Sequence, residues 1–105
     1  MLLKDQFKEW AKEYNVSYTT VVNIYYKMYG NVEMTLEQLK LTNRRNYWRD
    51  RIHALGEKYN TDIRVIHRIM RSSKVQCFKV INLNEDIFKK VEKLTKQWAI
   101  EHNKI

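Results

Sequence analysis

The sequence predicts an all-α protein: two similar helical pairs followed by a long C-terminal helix, with one short strand-like segment near residues 75–83. Three observations predict this. The 105 residues hold no proline and only two glycines, Gly30 and Gly56, so few positions force the chain to break. Apolar residues recur at helical rather than alternating spacing over most of the chain. Finally, the pattern around Tyr14-Asn15 returns 45 residues later around Tyr59-Asn60.

The first predicted helix carries Phe7, Trp10, Ala11 and Tyr14 on one face, and Asn15 ends it. After glycine, asparagine best tolerates the left-handed conformation that closes a helix. Ser17 then stands where a second helix needs an N-cap, and Val21 and Ile24 face back onto the first. In the second copy Ile52 falls on Phe7, Leu55 on Trp10, Gly56 on Ala11, Tyr59 on Tyr14 and Asn60 on Asn15. Asp62 supplies the cap, and Ile66 and Ile69 fall on Val21 and Ile24. Ala11 and Gly56 are small where two helices must cross closely.

Between the copies, Thr35 followed by Gln38 has the form of a capping box, which predicts a short helix beginning there. A separate helix is expected from about Asn43 to Lys58, burying Tyr47, Trp48, Ile52 and Leu55. Residues Val75 to Leu83 have strand composition, to be paired with a symmetry mate, paired with the segment Asn31 to Met34, or left merely extended. Asn82 with Glu85 suggests a second capping box, opening a helix to about Asn103. Its seam of Ile87, Val91, Leu94 and Trp98 either docks on the core or pairs in a homodimer. The implied segments are residues 1–41, 42–74 and 75–105.

The net charge of +8 is unevenly spread. Residues 1–41 balance five lysines against five acids; residues 42–74 set seven arginines and two lysines against Asp50, Glu57 and Asp62, a net of +6. Residues 75–105 carry six lysines against four acids, a net of +2, and every arginine lies between Arg44 and Arg71. Arginine's planar five-donor fork suits phosphate and guanine edges better than lysine's point charge. The clustering therefore points to a polyanionic partner bound in a salt-sensitive way.

Both copies resemble the DNA-binding helix-turn-helix: a small residue in the first helix (Ala11, Gly56), a turn residue four positions on (Asn15, Asn60), and apolar anchors in the second helix (Val21 and Ile24; Ile66 and Ile69). The first copy, with Tyr14 to Val21 and then Met34 to Leu39, is also similar to modules of phage regulators and to modules beside homing-nuclease domains. Asparagine stands at both turns where that motif usually has glycine, and Gly56 where it usually has alanine. The resemblance implies tandem units whose second helices face the major groove. In the second unit Arg64, His67, Arg68 and Arg71 would then meet base edges, while Arg44, Arg45, Arg49 and Arg51 hold phosphates. In the first, Thr19 and Asn23 are the matching contacts, on a face that also carries Tyr18, Val22 and Tyr26.

The resulting expectation is a non-catalytic, sequence-preferring binder of double-stranded DNA, such as a small phage or mobile-element transcriptional regulator. The alternative is a protein–protein inhibitor or adaptor that binds host machinery or a nuclease defence system through the neutral first unit; RNA binding is a weaker third reading. No cofactor or metal is expected. Cys77 stands alone, the three histidines are scattered, and His53 with Glu57 is an ordinary helix-surface pair. Neither a phosphate-binding glycine loop nor a nucleophile–base arrangement is present. The charged start at Lys4 and the absence of a long apolar run predict a cytoplasmic protein with no membrane partner.

Overall fold

The computed structural model describes residues 2–105, and among them the chain forms five α-helices, one 3-10 turn and no strand. The helices are α1 (Leu3–Glu13), α2 (Tyr18–Lys27), α3 (Val32–Lys58), α4 (Ile63–Arg71) and α5 (Glu85–Glu101). They divide into two compact units, residues 1–46 and 47–105, with α3 contributing its first part to one and its last part to the other. The single division thus falls inside α3, whereas the sequence suggested breaks after residues 41 and 74.

The first unit is built on Phe7, Trp10, Val21 and Leu39, packed round by Ala11, Tyr14, Val16, Val22, Ile24, Tyr25 and Leu36. Phe7 and Tyr25 meet edge to face with ring centroids 5.0 Å apart. Burying each large apolar side chain contributes about 1.5–3 kcal/mol before entropy is counted. The second unit has the larger core, with Trp48, Ile52, Leu55, Tyr59, Ile66, Met70, Leu83, Phe88, Val91 and Ala99 among its buried members.

The two copies of the repeat close their first helix identically. Asn15 and Asn60 take φ of 52° and 48°, the left-handed region assigned to them from sequence. In the first copy Val16 N–H donates to Ala11 O at 3.0 Å and Asn15 N–H to Lys12 O at 3.4 Å. In the second, Thr61 N–H donates to Gly56 O at 2.9 Å and Asn60 N–H to Glu57 O at 3.4 Å. This crossed pair satisfies carbonyls that a helix end leaves bare. The next helix is then capped as expected: Ser17 Oγ accepts from Thr20 N at 3.1 Å, and Asp62 Oδ1 from Arg64 N at 2.8 Å. A Cβ on Gly56 would stand 2.8 Å from Thr61 O and 3.4 Å from Ile66 Cδ1, which explains glycine there.

Several local expectations are corrected. The two helices expected around residues 35–58 are one helix of 27 residues. Thr35 is not its cap: it is buried inside the first turn, its hydroxyl donating to Asn31 O at 2.7 Å, while Asn31 Oδ1 accepts from Met34 N at 3.0 Å. Asn43, read as a helix start, instead donates from its amide to Tyr14 O at 2.6 Å, closing the end of α1 from within α3. Of the four residues expected to be buried, Trp48, Ile52 and Leu55 are, but Tyr47 is 51% exposed, because it lies one residue round the helix from the line that Trp48, Ile52 and Leu55 form.

In α5 the cap and most of the buried line differ from expectation, Val91 alone of the expected seam being fully buried. Its cap is Asn84, whose Oδ1 accepts from Ile87 N at 2.9 Å, and not Asn82, which lies in the 3-10 turn Val80–Asn82. Its buried line is Phe88, Val91, Thr95 and Ala99, with Ile87, Leu94 and Trp98 only partly covered. The strand-like segment forms no strand. Val75 and Gln76 N–H donate to Ser72 O and Cys77 N–H to Met70 O at 2.7 Å, so the segment begins folded onto the end of α4; Asn82 and Leu83 N–H bond within the 3-10 turn, and Cys77 and Leu83 are buried.

Candidate nucleic-acid interface

Helix α4 has the sharpest division between faces in the second unit. Ile66 and Met70 are buried and Ile63 and Ile69 pack against the core. A helix advances about 100° per residue, so Arg64, Arg68 and Arg71, spaced four and three apart, fall within roughly 60° of one another. All three are exposed, and they lie away from the buried line. His67 borders this ridge and is half-buried.

The three arginines are not equivalent. Arg64 turns back on its own cap, with Nε 3.2 Å from Asp62 Oδ1 and Nη2 3.3 Å from Oδ2. Hydrogen bonding to Arg64 lowers the Asp62 pKa, and the same contact raises that of Arg64. Arg68 and Arg71 form no ion pair among the described residues. The His67 pKa is lowered, first by burial and then by the nearby positive charge of Arg71 and by His53, so the imidazole is neutral at pH 7. The ridge thus presents two unpaired guanidinium groups, a third leaning on a carboxylate, and an adjacent neutral imidazole.

The other expected contacts are distributed more widely. Arg49 is exposed on α3 in the second unit, 3.8 Å from Asp50. Arg44 and Arg45 are exposed on the part of α3 that belongs to the first unit. Arg51 is withdrawn from the expected phosphate set: it pairs with Glu85, and its guanidinium carbon lies 4.2 Å from the ring centre of Phe88 and 4.9 Å from that of Trp48. That use was readable from Tyr47 and Trp48, four and three residues earlier, since such positions are neighbours on a helix surface.

In the first unit, Thr19, Asn23 and Tyr26 on α2 occupy the repeat positions of Arg64, Arg68 and Arg71, and all three are exposed. Val22, equivalent to His67, packs partly against the core. The ridge therefore exists in both copies, cationic in the second and uncharged in the first. Exposed aromatics accompany it: Tyr18, Tyr26 and, beyond α2, Tyr29, which is 97% exposed.

Within the second unit, a surface concavity of about 500 Å³ is lined by His53, Gly56, Glu57, Asn60, Thr61, Asp62, Ile63 and Lys104. It combines both signs of charge around the asparagine turn. Among the described residues no three His, Cys, Asp or Glu side chains are grouped to hold a metal ion, and no helix is long and apolar enough to cross a membrane.

No protein family, curated protein or solved structure matches this chain.

Proposed function

We propose that this protein binds double-stranded DNA with a sequence preference and without catalysis of its own, α4 lying in the major groove, as in a small phage or mobile-element regulator. The observation that carries this reading is the exposed ridge of Arg64, Arg68 and Arg71 on a helix entered through a left-handed turn and a capped first residue. A helix with three arginines on one free face offers bidentate donors to guanine O6 and N7 at successive depths of a groove. Arg68 is the principal base-reading residue, being unpaired and central; Arg71 and His67 extend the contact, and Arg64 exchanges its carboxylate for the duplex. Arg49 contributes a phosphate contact from α3, and Arg44, Arg45, Thr19 and Asn23 are the contacts proposed for the first unit.

Selection from random duplexes, followed by salt titration of the preferred sequence, tests this. Affinity should fall steeply with salt. Arg68→Ala should flatten the preference at one or two base pairs, by about 1–3 kcal/mol each. Selection that enriches no sequence, or an Arg68→Ala protein with an unchanged preference, overturns the reading.

A second reading is favoured by a separate observation, the exposed tyrosines of the first unit. Tyr18, Tyr26 and Tyr29 suit a protein partner, so the chain would act as an inhibitor or adaptor of host machinery or of a nuclease defence system. A partner retained through nuclease treatment and high salt, and lost on Tyr26→Ala or Tyr29→Ala, would favour it over DNA binding.

A further inference from the structure

The outer face of α5 repeats the arrangement of α4 with lysine. Lys89, Lys93 and Lys96 have the same four-and-three spacing as Arg64, Arg68 and Arg71, so they too fall within roughly 60° of arc. All three are exposed, with exposed Lys90 beside them, on the side of α5 turned away from the buried Phe88, Val91, Thr95 and Ala99.

The carboxylates of α5 do not balance this ridge. Glu85 pairs with Arg51, and Glu92 with Lys58 at 3.5 Å, so both are engaged by α3. Glu101 lies beyond the ridge and accepts from the Gln97 amide at 3.4 Å. Asp86 stands at its N-terminal edge, and among the described residues no ion pair joins it to a lysine. Helix α1 shows the contrasting pattern. There each exposed lysine, Lys4, Lys8 and Lys12, is followed at once by an acid, Asp5, Glu9 and Glu13. None of Lys89, Lys93 and Lys96 is followed by an acid, so α5 groups its lysines along one ridge where α1 alternates them with carboxylates.

We propose that the Lys89–Lys93–Lys96 ridge is a second contact with the phosphate backbone of duplex DNA, adding affinity but no sequence information. This rests on the DNA-binding reading and extends it. Helix α5 packs against α4, so the lysine ridge and the arginine ridge belong to one compact unit. Lysine suits the role, because a flexible stem with a point charge follows phosphates whatever the bases between them.

The test compares the triple variants K89Q/K93Q/K96Q and K4Q/K8Q/K12Q, which have equal net charge, with the charge-retaining K89R/K93R/K96R. Each is titrated with salt on the selected duplex and on a mixed-sequence duplex. Each phosphate contact contributes about 0.9 to the slope of log affinity against log salt. The α5 glutamine variant should therefore lose about 2–3 from that slope on both duplexes and keep the wild-type preference between them, while the arginine variant keeps the slope. The α1 variant should lose less than about one. Equal losses in the α1 and α5 variants, or an unchanged slope in the α5 variant, overturns the proposal alone. A wild-type protein with no salt-dependent affinity for either duplex overturns the DNA reading as well.

Discussion

The guanidinium of Arg51 lies over the ring of Phe88, 4.2 Å from its centre, while pairing with Glu85 one turn earlier on the same helix. Trp48 and Tyr47 complete the aromatic surround, the Tyr47 hydroxyl accepting from Arg51 Nη1 at 3.3 Å. A strongly basic stretch therefore holds two kinds of arginine. One kind ties α3 to α5, and the other is left to solvent on α4.

Truncation separates them. Arg51→Ala removes a cation–π contact worth about 0.5–1 kcal/mol and a half-exposed ion pair worth about as much, so unfolding should cost about 1–2 kcal/mol less. Arg68→Ala should leave the urea midpoint within about 0.5 kcal/mol of wild type, as expected for an unpaired surface residue. Equal losses of stability in the two variants would contradict the distinction.

Gly56→Ala tests the close crossing at the second turn. The new Cβ meets Thr61 O at 2.8 Å, and that backbone is held by the Thr61-to-Gly56 hydrogen bond. Overpacking costs about 1–3 kcal/mol, against roughly 1 kcal/mol regained from helix propensity. Net destabilisation of up to about 2 kcal/mol should appear in chemical denaturation, and a stabilised variant would contradict the close approach.

The asparagine turns make a prediction of opposite sign for glycine. Asn15 is at φ 52°, where alanine suffers a steric penalty that glycine escapes. Asn15→Ala should lower stability by about 1 kcal/mol, and Asn15→Gly should preserve or raise it. Thermal melts of the two variants would decide the matter.

Thr95 lies at the centre of the α5 face with its hydroxyl oxygen buried and without a hydrogen-bond partner among the described residues. An unpaired buried hydroxyl costs about 1–3 kcal/mol, so Thr95→Val, nearly the same shape, should stabilise the protein by about 1 kcal/mol. A lower denaturation midpoint in the valine variant would show that the hydroxyl is satisfied after all.

His67 gives a pH dependence with a definite sign. Burial and the neighbouring Arg71 and His53 hold its pKa below the ordinary histidine value. As pH falls through about 6.5 the unfolded chain takes up the proton first, so stability declines from there down to the folded-state pKa. Well above pH 7 the group contributes no slope. His67→Gln should flatten this part of the stability profile. A phosphate beside His67 would favour the charged imidazole, so wild-type DNA affinity should rise over the same window more than that of the glutamine variant.

Much of this chain could be read from local residues, because the physics involved is local. The asparagine turns, the caps at Ser17 and Asp62, the small residue at Gly56 and the opposed faces of α4 each depend on a few consecutive side chains and the pitch of a helix. Tertiary structure decided what depends on partners distant in sequence. Asn43 looks like the start of a helix until Tyr14 needs its amide, and Tyr47 and Trp48 look equally buried until α5 selects one of them. Val75 to Leu83 looks like a strand until the end of α4 takes its backbone, and Arg51 resembles its neighbours until Glu85 and Phe88 claim it. A residue's propensity sets the roles open to it, whereas burial, which depends on the whole unit, selects among them.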